Sequence, residues 1–322
     1  MDTAKIGDIT PIMTEAKDDN KFEQVVQRIA PRSKLLRTWE LKGGVSARIT
    51  ALEISLSDGH TKKMIVRQHG EVDRKRNPHI AADEFKLLRL LHSVGLTVPT
   101  PFYLDQSGEI FSTPYIVIEY IEGKPEFAPA HLPNFVFQLA TNLVKIHRVD
   151  GSNLDMSFLP QQEEFYTEKL GKRSATIDES LDEGRIRDAL EFVWPLPQRN
   201  TPVLLHGDFW PGNLLWRDGQ LVAIIDWEDA AIGDPLADVA NSRLELLWAF
   251  GLETMQQFTQ QYQSLTTTDF TSLPYWDLCA ALRRIAQIAG WGLDDTTEGT
   301  MRERLRLFVT RAFEKLSTIH ES

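Results

Sequence analysis

Residues 206–213 read HGDFWPGN and residues 224–240 read IIDWEDAAIGDPLADVA. Between them, LLWR (214–217) and LVAII (221–225) are short apolar runs on either side of Asp218-Gly219, a dipeptide suited to a two-residue hairpin turn. Such a turn sets Arg217 opposite Gln220. An unbroken ladder then sets Asn213 opposite Ile224, with Asp226 one diagonal step away on the same face. Diagonal neighbours lie about 7–8 Å apart at the backbone, so a carboxamide and a carboxylate can reach one hard cation there, and oxygen ligands suit Mg²⁺. Asp208 stands five residues before Asn213 and 18 before Asp226, on the loop that enters the hairpin. The spacing predicts three polar groups converging on one pocket.

Working outward, this island of short strands interrupts a stretch that otherwise reads as helical, with helices expected around 131–148, 161–170, 178–193, 236–262, 274–291 and 299–317. Upstream the pattern alternates instead. WELKGGVSARITALEISL reads as strand, turn and strand, Asp58-Gly59 as a hairpin signal, KKMIVRQ and PYIVIEYI as further strands, and PHIAADEFKLLRLLHSVG as one main helix ended by Gly95 and a Pro-rich loop at Pro99 and Pro101. The expected plan is α+β: a helical lead-in over 1–36, a small β-rich lobe over 37–121, and a larger, mainly helical lobe over 122–322 that carries the embedded hairpin.

Within the small lobe, GGVSAR can lay backbone N–H groups against phosphate oxygens, because Gly43 and Gly44 permit close approach and Ser46 adds a hydroxyl donor. In KKMIVR, alternation puts Lys63, Ile65 and Arg67 on one face. Glu84, Leu88 and Leu91 share a helical stripe, which places a carboxylate on an apolar face, where it needs a partner.

HGDFWPGN followed by IIDWEDAAIGDPLADVA resembles the aminoglycoside phosphotransferase-like family of small-molecule kinases, whose fold is the bilobal protein-kinase fold. The likeness runs from about Trp39 to Leu247. In the protein-kinase signature an Asp, four residues and an Asn form the catalytic loop, and a later Asp holds Mg²⁺. The resemblance implies Asp208 as the base that orients the acceptor hydroxyl, Asn213 and Asp226 as ligands of the Mg²⁺ that bridges ATP phosphates, and His206 and Asp238 as braces of the loop. It also implies a strand cation that pairs with Glu84 and the nucleotide phosphates. Arg67 stands where the pattern has lysine, with Lys63 as the alternative on the same face. The backbone of Glu119, Tyr120 and Ile121 would meet adenine, beside Ile65. Family acceptors include aminoglycosides, macrolides, choline-like alcohols and sugars.

Composition narrows the alternatives. The 322 residues carry 35 Lys+Arg against 46 Asp+Glu, a net charge of −11, which gives no electrostatic footprint for nucleic acid or an anionic membrane. Cys279 is the single cysteine, so nothing calls for an oxidising compartment. MDTAKIGDIT lacks the features of a signal peptide, and no apolar run is long enough to span a bilayer, so a cytoplasmic protein is expected. A metallophosphoesterase would need several histidines near its metals, and after His206 only His320 remains. A catalytically degenerate nucleotide-binding module would lack the base or a metal ligand, and neither is lost. Residues 1–121 carry 17 basic and 16 acidic residues, residues 122–322 carry 18 and 30, so the excess acid lies wholly in the helical lobe. That asymmetry reads either as an acidic surface that keeps the protein soluble or as the mark of a cationic acceptor, an aminoglycoside or amino alcohol. Oligomeric state is not legible.

Overall fold

Phe22, Val25 and Val26 stand at i, i+3 and i+4, the spacing of one helix face. In the computed structural model of the protein they are the buried stripe of helix α1 (Asp19–Ile29). The structure describes residues 19–41, 47–151, 154–172 and 177–320. Strands β1 (Lys34–Leu41), β2 (Ala47–Ser55) and β3 (Thr61–His69) follow as an antiparallel meander, and the β2–β3 turn contains Gly59 at φ +86°. After α2 (Glu71–Arg76) and α3 (Ile80–Ser93), β4 (Pro101–Asp105) and β5 (Tyr115–Glu119) complete a five-stranded sheet of order β1-β2-β3-β5-β4. Alternation divides β3 between two environments. Met64 and Val66 join Leu52, Ile54, Val117 and the α1 stripe in one core, while Arg67 meets Glu84 of α3 on the other face.

The chain continues through α4 (Leu132–His147), α5 (Gln162–Gly171), α6 (Glu183–Val193) and β6 (Val203–Leu205). The hairpin β7 (Leu214–Arg217) and β8 (Gln220–Ile224) comes next, then β9 (Ala231–Gly233), which pairs antiparallel with β6. Helices α7 (Leu236–Phe250), α8 (Leu252–Leu265), α9 (Leu273–Ile288) and α10 (Asp295–His320) complete the chain, with α7 packed against both α8 and α9. The single helix expected over 236–262 is two helices, because Gly251 adopts φ +89°, a left-handed backbone that a residue with a Cβ enters only under strain.

Two units result: the chain to Glu126 together with Leu214–Glu228, and Phe127–Asn213 together with the chain from Asp229. The division differs from the expected one in three respects. The α1 segment belongs to the core of the sheet rather than to a separate lead-in, so the boundary expected at 36 falls inside β1. The β7–β8 hairpin belongs to the sheet-bearing unit, because Trp216 and Lys124 exchange backbone hydrogen bonds of 2.8 and 3.1 Å and Ile224 N–H donates to Thr97 O at 2.8 Å. Finally, the expected Pro-rich loop is partly strand β4. Proline is tolerated as the first residue of this edge strand, where its missing N–H is not needed by a second neighbour. Among the described residues no helix is long and apolar enough to cross a membrane.

Candidate active site

In the sheet-bearing unit the site begins at Arg67, whose side chain is 6% exposed. Its Nε lies 3.1 Å from Glu84 Oε2, and its Nη2 donates to Asp226 Oδ1 and to Glu228 Oε2, both at 2.6 Å. His69, two residues on and on the same face of β3, places Nε2 2.7 Å from Glu84 Oε2. Burial alone would raise the Glu84 carboxyl, but the Arg67 charge and the His69 contact overcome it and hold the group below its ordinary range. Asp226 sits at φ +67°, a left-handed conformation that Asp tolerates better than most residues with a Cβ. Trp227 beside it is buried and donates its indole N–H to Ile224 O at 3.1 Å, which fixes the turn that presents Asp226.

The helical unit builds a second constellation on the loop between β6 and β7. Asp238, in the first turn of α7 and 1% exposed, accepts from His206 N–H at 2.7 Å and Gly207 N–H at 2.9 Å, and it lies 3.2 Å from His147 Nε2. His147 is held in turn by Tyr262 OH at 2.7 Å. The loop's shape needs Gly207: its φ is +81°, and a Cβ there would fall 2.0 Å from Asp229 O. Asp208 follows. Its Oδ1 accepts from Arg284 Nη2 at 2.6 Å, and Arg283 Nη2 lies 3.8 Å away. Arg283 also donates to Gly207 O at 2.5 Å and Asp229 Oδ2 at 2.8 Å, tying α9 to the loop. Burial would raise Asp208, yet Arg284 and Arg283 hold it below the usual carboxylate range, so it is a carboxylate at neutral pH. Asn213, in the 3-10 turn Pro211–Asn213, donates Nδ2 to Asp208 O at 3.0 Å and Oδ2 at 3.2 Å, which leaves its Oδ1 as the acceptor end.

A loop of this shape, with an aspartate, a carboxamide five residues on and a buried brace, lies within residues 41–274, which match the model of the phosphotransferase enzyme family. The chain belongs to this family. A curated relative, acyl-CoA dehydrogenase family member 10 of Mus musculus, is 27% identical over 216 residues, 62% of this chain but 20% of the relative. The chain thus spans only about a fifth to a quarter of the length of the acyl-CoA dehydrogenase relatives it matches. Among solved structures, a candidate aminoglycoside phosphotransferase from Ralstonia eutropha superposes with a TM-score of 0.66 at 14% identity, over 94% of this chain and 98% of that one. The GDP and kanamycin complex of APH(2")-IIIa gives 0.62 at 18% identity, over 92% and 98%. These likenesses show the kinase-like α+β fold of the phosphotransferase family.

Against that family pattern, the predicted residues divide as follows. Arg67 and Glu84 meet as expected. Lys63 does not reach Glu84; it pairs with Glu122 at 2.5 Å, with both side chains substantially exposed. Gly43, Gly44 and Ser46 lie outside the described residues. Glu119 closes β5, its N–H donating to Thr100 O at 2.9 Å and its carboxylate accepting from Thr100 Oγ1 at 2.7 Å. Tyr120 packs edge-on against Trp39, and Ile65, Tyr120 and Ile121 are partly buried. The hairpin register is corrected by one residue: Leu214, not Asn213, stands opposite Ile224, because a bulge falls at Leu215/Trp216. Asp234 caps α7 by accepting from Leu236 N–H at 2.9 Å, whereas Asp238 has the bracing role that the resemblance implies.

Five residues of the two clusters escaped the sequence: His69, Glu228, Glu245, Arg283 and Arg284. Glu228 had a signal, since a carboxylate two residues after Asp226 falls on the same side of an extended chain. Arg283-Arg284 had another, being two cations inside the apolar helix CAALRRIAQI, where a buried charge requires a partner. Arg284 finds Glu245 Oε1 at 2.8 Å as well as Asp208. Glu245 is pushed up to about 7, by burial first and by Asp208, against the pull of Arg284. Among the described residues no cluster of three or more His, Cys, Asp or Glu is arranged to hold a metal.

Proposed function

We propose that this chain is an ATP-dependent phosphotransferase that moves the γ-phosphoryl group to a hydroxyl of a small molecule. The observation that carries the proposal is Asp208: a carboxylate kept ionised by Arg284, oriented by Asn213, on a loop braced by Asp238 in the family's motif. Held below the usual range, Asp208 acts by accepting a hydrogen bond from the acceptor hydroxyl and aiming its oxygen at phosphorus. Arg67, anchored by Glu84, is assigned to the nucleotide phosphates, and Glu119 to Ile121 to the base. Asn213 Oδ1 and the Asp226 carboxylate are the oxygens that would hold Mg²⁺, which supplies charge neutralisation on the phosphates. A degenerate nucleotide-binding module is disfavoured, because Arg67, the main departure from the kinase pattern, makes the ion pair its position requires. The buried thiol of Cys279 fits a cytoplasmic home.

Two observations pull the acceptor's charge in opposite directions. The acid excess of residues 122–322 favours a cation, an aminoglycoside or amino alcohol, as does kanamycin in the APH(2")-IIIa complex. The charges nearest Asp208, however, are guanidiniums. Each of them is paired with carboxylates of the same cluster, Asp208, Glu245 and Asp229, so the acid excess is the stronger argument. The test of the core proposal is Asp208→Asn. ADP formation in the presence of an acceptor is expected to fall by about 10²–10⁴-fold while Mg-ATP affinity stays within about twofold. Turnover above about a tenth of wild type would remove Asp208 from the reaction.

A further inference from the structure

Two adjacent arginines of α9 reach the loop that carries Asp208, and they hold different parts of it. Arg283 donates to Gly207 O at 2.5 Å and pairs with Asp229 at 2.8 Å, so it secures the backbone. Arg284 secures the carboxylate. Its Nη2 donates to Asp208 Oδ1 at 2.6 Å and to Asn241 Oδ1 at 3.2 Å, and it lies 2.8 Å from Glu245 Oε1. The two hydrogens of Nη2 are thereby used, and Glu245 adds a counter-charge. Asn241 and Glu245 stand at i and i+4 on α7, so one face of that helix presents both oxygens to the guanidinium. Nη1 is tied as well, donating to Gln287 Oε1 at 3.2 Å within α9. The Arg284 and Glu245 side chains are 10% and 11% exposed, which leaves this planar group little freedom to turn.

The two oxygens of Asp208 are held unequally. Oδ1 takes the charge-assisted 2.6 Å bond from Arg284, whereas Oδ2 takes a 3.2 Å bond from the neutral Asn213 amide, which also serves Asp208 O at 3.0 Å. A short ionic bond draws on its oxygen more than a long neutral one, so Oδ2 keeps the stronger remaining power to accept a hydrogen bond. Solvent reaches this carboxylate, whose side chain is 21% exposed.

We propose that Arg284 is a positioning residue for phosphoryl transfer: anchored by Glu245 and Asn241, it pins Asp208 Oδ1 and leaves Oδ2 as the oxygen that accepts from the acceptor hydroxyl. The proposal rests on the phosphotransferase reading given above and adds residues of α7 and α9 that lie outside the loop motif. Arg284 acts through Asp208, and Glu245 acts one step further back, through Arg284. Without the pin the carboxylate turns about its last torsion and offers either oxygen, so the arrangement ready for attack is sampled less often.

The test is steady-state conversion of Mg-ATP to ADP by the full chain, with kanamycin as acceptor and with water alone, for Arg284→Gln, Arg284→Lys and Glu245→Leu, each in the wild-type and in the Asp208→Asn background. Arg284→Gln should lower kcat by about 10²-fold with KM for Mg-ATP within about twofold, and Arg284→Lys should recover part of the loss because the charge returns without the fork. Glu245→Leu should lower kcat by about tenfold. In the Asp208→Asn background each substitution should cost less than about a further twofold, since a residue that works only through Asp208 has nothing left to position. A general structural role would repeat its full cost there, and that result overturns the proposal. Wild-type kcat in Arg284→Lys and Glu245→Leu, or a rise in KM for Mg-ATP with kcat unchanged, overturns it too. Should Arg284→Gln fail to fold, the Arg284→Lys and Glu245→Leu cycles decide alone. A thermal shift of wild type with Mg-ATP reads the phosphotransferase assignment separately. Full costs repeated in the Asp208→Asn background beside a clear shift remove only the role of Arg284, whereas a wild type with neither shift nor ADP formation removes the kinase reading and this role with it.

Discussion

Around Arg67, one guanidinium stands within ion-pair distance of three carboxylates, Glu84, Asp226 and Glu228. Around Asp208 two guanidiniums, Arg283 and Arg284, are shared among three carboxylates, Asp208, Asp229 and Glu245. Both are built by the same device, a buried arginine that keeps carboxylates ionised where burial alone would protonate them. What differs is how the cations are shared: one guanidinium serves three carboxylates around Arg67, and two serve three around Asp208.

The comparison breaks most readily at Arg67. Arg67→Ala strands Glu84 with its carboxylate 3% exposed beside two further acids, and loss of one partner of a buried pair costs about 3–5 kcal/mol. A urea titration should show that loss, with Mg-ATP affinity falling alongside it. Arg67→Lys should restore part of both, since the charge returns without the planar fork. If Arg67→Ala unfolds at the same urea concentration as wild type, Arg67 does not hold the cluster together.

The proposed metal ligands are probed next. Asp226→Ala and Asn213→Ala should each raise the Mg²⁺ concentration needed for half-maximal ATP binding, Asp226→Ala more strongly because it removes a charged ligand. The double variant should fall short of the sum, since ligands of one ion are not independent. Metal titrations in which both variants match wild type would leave the hairpin a purely structural element.

A smaller effect is the pH dependence of stability. Glu245 is raised from 4.5 to about 7, so between those values the folded chain holds a proton that the unfolded chain has released. Its contribution to stability is therefore complete below about 4.5 and is lost as pH rises to about 7. Glu84 and Asp208, both lowered, contribute the opposite slope, losing stability as pH falls through the carboxylate range. Melting temperatures from pH 5 to 8 should decline less steeply for Glu245→Gln than for wild type. Parallel curves would mean that Glu245 is ionised across this range.

The smallest expected change is at Lys63. Its pair with Glu122 is solvent-exposed, and such pairs contribute about 0–1 kcal/mol. Lys63→Ala should therefore leave stability and nucleotide affinity close to wild type. A loss of ATP affinity matching that of Arg67→Ala would move the phosphate-side cation to Lys63.

The local features of this chain were legible in its sequence because they repeat at short range. Alternation put Arg67 on the face opposite Met64 and Val66, helical spacing put Glu84 on the buried stripe of α3, and the loop motif that carries Asp208 and Asn213 lies within eight consecutive residues, 206–213. Asp218-Gly219 announced its turn, with both residues at positive φ. Only the tertiary structure decided what no local pattern encodes. The bulge at Leu215/Trp216 shifted the hairpin register by one, and three-residue β9 is too short to show a period. The company of Asp208 comes from helices α7 and α9, more than 30 residues away along the chain. A buried arginine announces that it needs a carboxylate, but which carboxylate it finds is set by helix packing, because ion pairs act through space over a few ångströms and carry no signature along the sequence.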